Sequence, residues 1–465
     1  MVRKSFTIAP FESTTDGRQP SPSIHVNRKG MTVWATTVII VGEMAGVGLI
    51  AMPGALRNSS WLGIALVVLG AVITAYTGIQ LGTCWTILQD RWPEYREHTR
   101  KPYQEIARRA MGVTFKHLTS VCVDFTVFGA TVAFMVLSSK NIQSLLDDWF
   151  DWKVSFCLIM LVVAVCLWPL TFLGTPKDFW LVVTGAMAAT SVATVLLIIG
   201  MAIDVSQSGH YNQSVNGTAN TVGTPLSQLS FKPFFLGFGT IVFSYGGHSA
   251  FPVIQHDMKV PSKFKLAVNA AYLIILFCIY APVSILGFVV YGKNTDYGNV
   301  VNNIGPDWCR TAVFVLITAH VLLIFILYAN PVCQELEELF RIPHEFGWRR
   351  VVLRTCYMLV VLFVAESVPS FGLLLSLIGS STITCVTFIF PPIFYISLKR
   401  QKHSTVWVTG SSIQTKQGPA VPLWELVYNM VIIGIGAIGA VAGTYAAIDG
   451  LVSGGDEFTQ PCYLS

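Results

Sequence analysis

Runs of roughly 20 apolar residues recur eleven times along this chain, and nothing constrains its fold more. A run of that length matches the hydrocarbon thickness of a bilayer when wound as an α-helix. Strands of a membrane barrel need only about half as many residues, and an open backbone finds no hydrogen-bond partner in lipid. The eleven intervals are 33–56, 61–89, 118–139, 154–174, 178–203, 233–257, 266–291, 309–334, 351–367, 371–397 and 424–448, here called spans one to eleven. Composition agrees, since only 12% of residues are charged, about half the share usual in a soluble protein. The expected fold is an all-α polytopic membrane protein.

Charge placement orients the spans. With the N-terminus in the cytosol, 24 of the 30 lysines and arginines fall in inner segments, the asymmetry that the positive-inside rule requires. The densest inner segment, after span two, holds Arg91, Arg96, Arg100, Lys101, Arg108, Arg109 and Lys116. Within it Lys101–Gly112 alternates apolar and basic residues, as a helix lying on the inner surface does. The loop from Asp204 to Phe231 has no basic residue and carries two glycosylation sequons, at Asn212 and Asn216, which places it outside or in a lumen. Residues 1–31 read as a disordered cytosolic tail, 32–449 as the transmembrane unit and 450–465 as an outer tail. The ten cysteines show no metal-ligand spacing, so neither metal nor cofactor is expected. Cys309 and Cys462 both fall outside and are candidates for a disulfide. Gly439 and Gly443 in span eleven have the spacing of close helix contact.

Two spans carry residues that a continuous helix in lipid avoids. Span one contains "GEMAGVGLIAMP", from Gly42 to Pro53, and span six contains "FSYGGHSAFP", from Phe243 to Pro252. Glycine loosens the backbone and proline removes a donor. An interruption there exposes main-chain N–H and C=O groups at mid-membrane, where only a ligand or trapped water satisfies them. Half-helix N-termini attract a carboxylate, and carbonyl ends attract an ammonium. A zwitterion offers both. Breaks in the first helix of each five-helix half are the pattern of an inverted-repeat transporter, with repeats at 33–203 and 233–397 and an extra helix at 424–448.

Ionisable residues lie at the same depth. Glu43 and His320 fall half-way through spans one and eight, His248 beside the second break, and Asp124 nearer the inner end of span three. Low dielectric disfavours the charged form of such groups and brings proton exchange toward physiological pH, as proton coupling needs. Packing or helix capping is the competing use of His248 and Asp124. Sodium coupling would instead combine carbonyls of span one with a hydroxyl of span eight, where Thr318 is available.

"GEMAGVGLIAMPGAL" and "FSYGGHSAFPVIQHDMKVP" in an eleven-span chain resemble the amino acid/auxin permease family, most closely its proton-coupled amino acid transporter branch, over Thr32 to Asp449. The resemblance implies the five-plus-five inverted repeat of the bacterial leucine transporter plus one extra helix. It implies a carboxylate site at Gly46, Val47 and Gly48, and substrate contacts from Ser244, Tyr245 and Gly246. Glu43 departs from the family, where a small or polar residue is usual. The expected function is proton-coupled amino acid transport in the plasma membrane or a lysosomal or vesicular membrane, with sodium coupling or amino acid sensing on the same fold as alternatives. No nucleophile–base pair suggests an enzyme, and no feature calls for nucleic acid.

Overall fold

The computed structural model describes residues 30–97, 99–172, 179–211, 230–343, 345–401, 407–409, 412–414, 421–453 and 461–464. Residues 1–29 of the expected tail and both sequons, Asn212 and Asn216, lie outside the described residues. Helical structure occupies all eleven predicted intervals. Among the described residues, seven helices are by length and composition able to cross a membrane alone, and the bent pair of span one makes an eighth. Span nine, Trp348–Ser367, carries Arg349, Arg350 and Arg354 in its first two turns. Span four ends early, as Phe156–Leu167 followed by a 3₁₀ turn Pro169–Phe172.

Both expected breaks are present. Span one divides into half-helices Val33–Met44 and Gly48–Ser59, bent by 56°. Thr32 caps the first, its hydroxyl accepting from the Ala35 amide at 3.2 Å. Span six divides into Phe231–Ser244 and Phe251–His256, joined by tight turns through Tyr245–Ala250. The far ends of the two broken spans are tied together: Met31 N–H donates to Asp257 O and Lys259 N–H to Met31 O, each at 2.8 Å. Spans seven and ten widen into π-helix at Ile275–Tyr280, Gly379–Ile383 and Cys385–Ile389, a distortion frequent at functional sites.

The basic segment forms the expected surface helix, Pro102–Met111, stopped by Gly112 at φ +91°. Its Glu105 accepts hydrogen bonds from Tyr95, Arg108 and Lys116 at 2.8–2.9 Å, which pin the helix to its flanks. Below it lies a buried charge cluster. Arg354 and Arg350 of span nine both donate to Glu337 Oε1 of span eight, at 2.7 and 3.0 Å. Arg354 also donates to Asn330 Oδ1 at 3.1 Å and to the Thr171 carbonyl. Spans four, eight and nine are thereby fastened at one end.

Span eleven, Leu423–Val452, packs across spans six and ten through its small residues: a Cβ on Gly439 would overlap the Phe238 ring, and one on Gly443 the Ser380 hydroxyl. The cysteine expectation needs correction. Cys462 is bonded to Cys157 at the start of span four. Cys309 is buried inside span eight, where its thiol donates to Leu196 O at 3.1 Å, so its side chain never reaches the tail. Two short strands, Trp407–Thr409 and Ser412–Gln414, pair antiparallel between spans ten and eleven.

Candidate functional site

The break of span one leaves Ala45, Gly46 and Val47 between two helices. Ala45 N–H still reaches Val41 O, at 2.7 Å. The N–H groups of Gly46, Val47 and Gly48 have no main-chain partner among the described residues. Such groups in a low-dielectric interior call for an acceptor. Gly46, Val47 and Gly48 line a narrow cavity of about 40 Å³ together with Glu43, Ser244, Gly246 and His320. Its remaining wall is largely apolar, with Val127, Ala130 and Phe134 of span three, Phe243 of span six, and Ile324 and Ile383. A cavity lined by peptide donors and by apolar side chains suits a small ligand with a carboxylate and a short side chain.

The carbonyl ends of the first half-helices are engaged by one side chain that the sequence did not single out. The hydroxyl of Tyr280, in the π-segment of span seven, reaches both Met44 O and Ser244 O at 2.6 Å. It lies 0% exposed between the two breaks and fixes their separation. Only a tyrosine inside an apolar run marks it in the sequence.

Tyr328 of span eight is the second residue missed. Its hydroxyl donates to Glu43 Oε1 at 2.6 Å, and its ring meets Phe134 edge-on at 5.2 Å. Glu43 and Tyr328 line the central cavity and also a wider vestibule of about 420 Å³, so their hydrogen bond stands between the two. The vestibule continues past Asp124 and Glu335 to Arg100 and Lys101 beside the surface helix, on the basic face. Ser120 Oγ bridges Asp124 and Glu335 at 3.4 and 3.3 Å. Lys101 pairs with Glu335 and, at 2.8 Å, with Glu338. Burial alone would lower the Lys101 ammonium, but these carboxylates hold it above its ordinary 10.5.

On the opposite face a separate cavity of about 590 Å³ is lined by Arg57, Lys140, Asp296 and Phe371, and shares no residue with the central one. Of these two larger cavities, the one on the basic face shares lining residues with the central cavity, Glu43 and Tyr328 among them.

Of the ten residues singled out for substrate or coupling, seven line the central cavity and Asp124 lines the vestibule. Two turn elsewhere. Tyr245 packs its ring near Tyr272 and donates to Val67 O of span two at 3.0 Å. His248 lies against span two, its Nε2 3.0 Å from Thr77 Oγ1 and 3.1 Å from Thr74 O. Thr318, the hydroxyl considered for sodium, is absent from the cavity wall.

The chain's likeness to known proteins bears on this geometry. The family described as transmembrane amino acid transporter protein matches residues 29–448. Amino acid transporter AVT1D of Arabidopsis thaliana is 29% identical over 426 residues, covering 88% of this chain and 68% of the relative. Amino acid transporter ANT1 of the same plant is 22% identical, covering 97% of this chain and 100% of its own. Among solved structures, MhsT in complex with L-phenylalanine superposes with a TM-score of 0.56 at 13% identity, over 90% of this chain and 100% of MhsT. The substrate-bound outward-open state of a Na+-coupled sialic acid symporter gives 0.51 at 10% identity, over 92% of each. At that identity the likeness establishes a shared fold. With two broken helices facing one cavity and a family match across nearly the whole chain, the protein belongs to the transmembrane amino acid transporter protein family.

Proposed function

We propose that the protein is a secondary active transporter that moves small neutral amino acids together with protons by alternating access. The observation that carries this reading is the set of amides at Gly46, Val47 and Gly48, without a main-chain partner among the described residues, on a cavity that Glu43 and His320 also line. A carboxylate satisfies the amides, and the short apolar wall limits the side chain. The inverted repeat supplies the two broken helices. A vestibule continuous with the cavity on one face and a separate one on the other fits one state of an alternating cycle.

Protons are favoured over sodium on the carbonyl count. Coordination of a hard cation needs several oxygens, and the two half-helix carbonyls best placed to supply them, Met44 O and Ser244 O, share the single hydrogen of the Tyr280 hydroxyl, whose oxygen lies 2.6 Å from each. Glu43 is the proton carrier in this scheme. Its bond to Tyr328 closes the path to the vestibule, and a change in its protonation alters that bond. The N-terminus is assigned to the cytosol and the C-terminus to the outer or lumenal side. The basic surface helix and the Cys157–Cys462 disulfide support that orientation, because disulfides persist in oxidising compartments.

Uptake of labelled neutral amino acids into proteoliposomes, with and without an inside-alkaline gradient, tests the reading. Gradient-driven accumulation is expected, and Glu43→Gln should retain substrate exchange while losing the response to the gradient. Binding without flux would replace the transporter with a sensor, and flux restored by sodium alone would replace the proton.

A further inference from the structure

His320 reaches the broken helix from span eight, and its two ring nitrogens have unlike surroundings. Nδ1 lies 2.8 Å from Ala186 O and 2.5 Å from Thr190 Oγ1. A carbonyl oxygen only accepts, so Nδ1 carries a hydrogen. The Thr190 hydroxyl proton is directed at Ala186 O, at 3.1 Å, so its oxygen too is free to accept from the ring. In the neutral imidazole this leaves Nε2 with a bare lone pair. Nε2 is buried, has no hydrogen-bond partner among the described residues, and sits on the cavity wall. It also stands 3.1 Å from where a Cβ on Gly46 would be, so the absent side chain is what keeps the approach to it open.

We propose that His320 Nε2, in the Nδ1–H tautomer, is the acceptor for the substrate's α-ammonium group. The assignment rests on the transport reading above and specifies how its site tells an amino acid from other small carboxylates. In an α-amino acid one carbon separates ammonium from carboxylate. A carboxylate on the Gly46–Gly48 amides therefore leaves the ammonium beside Gly46, within reach of Nε2. The two break carbonyls that would otherwise compete for it, Met44 O and Ser244 O, both face the Tyr280 hydroxyl, which lies 2.6 Å from each and shares its one hydrogen between them. The charged and titratable groups around the ring are few: span seven's Tyr280 is turned to those carbonyls, span five presents Ala186 and Thr190, and Glu43 and Tyr328 occupy the cavity with it.

The experiment is competition against labelled alanine counterflow in proteoliposomes, with propionate as the analogue that lacks the ammonium. His320→Leu should weaken alanine about ten- to a hundredfold, the range of a hydrogen bond to a charged group, and leave the weak inhibition by propionate unchanged. His320→Gln, which restores an acceptor oxygen, should recover part of the loss. Gly46→Ala should reproduce the loss with His320 intact. Equal weakening of alanine and propionate by His320→Leu would mean a merely structural histidine and overturn the assignment. Unchanged alanine affinity with loss of the proton-gradient response would overturn it in favour of a proton-carrying role. Absence of any amino acid counterflow in the wild type would instead refute the transport reading itself.

Discussion

Gly48→Ala isolates the contact on which the site depends. Gly48 opens the second half-helix of span one and has helical neighbours, so alanine there should by propensity stabilise the protein by about 0.5–1 kcal/mol. The structure reverses that sign. An added Cβ would stand 2.7 Å from both Cα and Cβ of Ser244 and closer still to its hydroxyl oxygen. Ordinary contact begins at 3.4 Å, so the two breaks must separate by about 0.7 Å. Ser244 cannot yield alone, because its hydroxyl donates to Thr240 O at 2.9 Å and its carbonyl is held by Tyr280 at 2.6 Å. Overpacking of this kind costs about 1–3 kcal/mol. If it falls on the ligand-bound geometry, affinity drops about 5- to 150-fold. The assay is the KM for uptake together with the thermal midpoint of the detergent-purified protein. The loss is expected mainly in KM. The double variant Gly48→Ala/Ser244→Gly removes the Ser244 Cβ and hydroxyl but leaves its Cα, so it should recover only part of the affinity. Wild-type KM and midpoint for Gly48→Ala would refute the contact between the breaks.

Two further outcomes concern the elements that hold the site. Arg354→Met should lower the thermal midpoint sharply, because it leaves the fully buried Glu337 charge with Arg350 as its main partner, a loss of about 3–5 kcal/mol. Arg350→Met, at the rim of the same cluster, should cost less, and equal midpoints for the two would contradict the stated geometry. The surface helix should be insensitive to pH across the neutral range and loosen in acid. Burial alone would raise the Glu105 carboxyl, but its hydrogen bonds from Lys116 and Tyr95 and the charges of Lys116 and Arg108 hold it below its ordinary 4.5. A carboxyl depressed by folding stabilises above its unfolded pKa, and that contribution disappears as pH falls through the folded one. The mobility of a spin label at Met111 should therefore rise only below pH about 4.5, and Glu105→Gln should make it high at every pH.

How far the sequence carried this reading depended on whether a residue announces itself by type. Breaking a helix in lipid takes glycine or proline, which stand out in an apolar run, so both interruptions were legible before any coordinates, and five of the six residues that the family resemblance implies for substrate, all but Tyr245, line one cavity. Intramembrane charge is equally conspicuous, and Glu43 and His320 do face that cavity. Rotation about the helix axis is not visible in the same way. Tyr245 adjoins Ser244 in sequence, yet the turn after Ser244 sends its ring to span two, and His248 follows it there. With no polar exterior to set a period, a span surrounded by lipid and protein is apolar on every face. Tertiary pairings were equally out of reach, as Cys157 and Cys462 are 305 residues apart.

Tyr280 and Tyr328 mark where that limit matters most for mechanism. Each is one aromatic residue among many in an apolar helix, and each acts by where its hydroxyl ends rather than by its place in a motif. Tyr280 holds the ends of the two breaks at one distance from each other. Tyr328 connects span eight to the carboxylate of span one across the mouth of the vestibule. Any motion of span one against span eight would have to break the second contact, whereas the first joins spans one, six and seven to one another. On the proposed transport reading the breaks supply the binding groups, and the two hydroxyls would determine which of them stay together as the site opens.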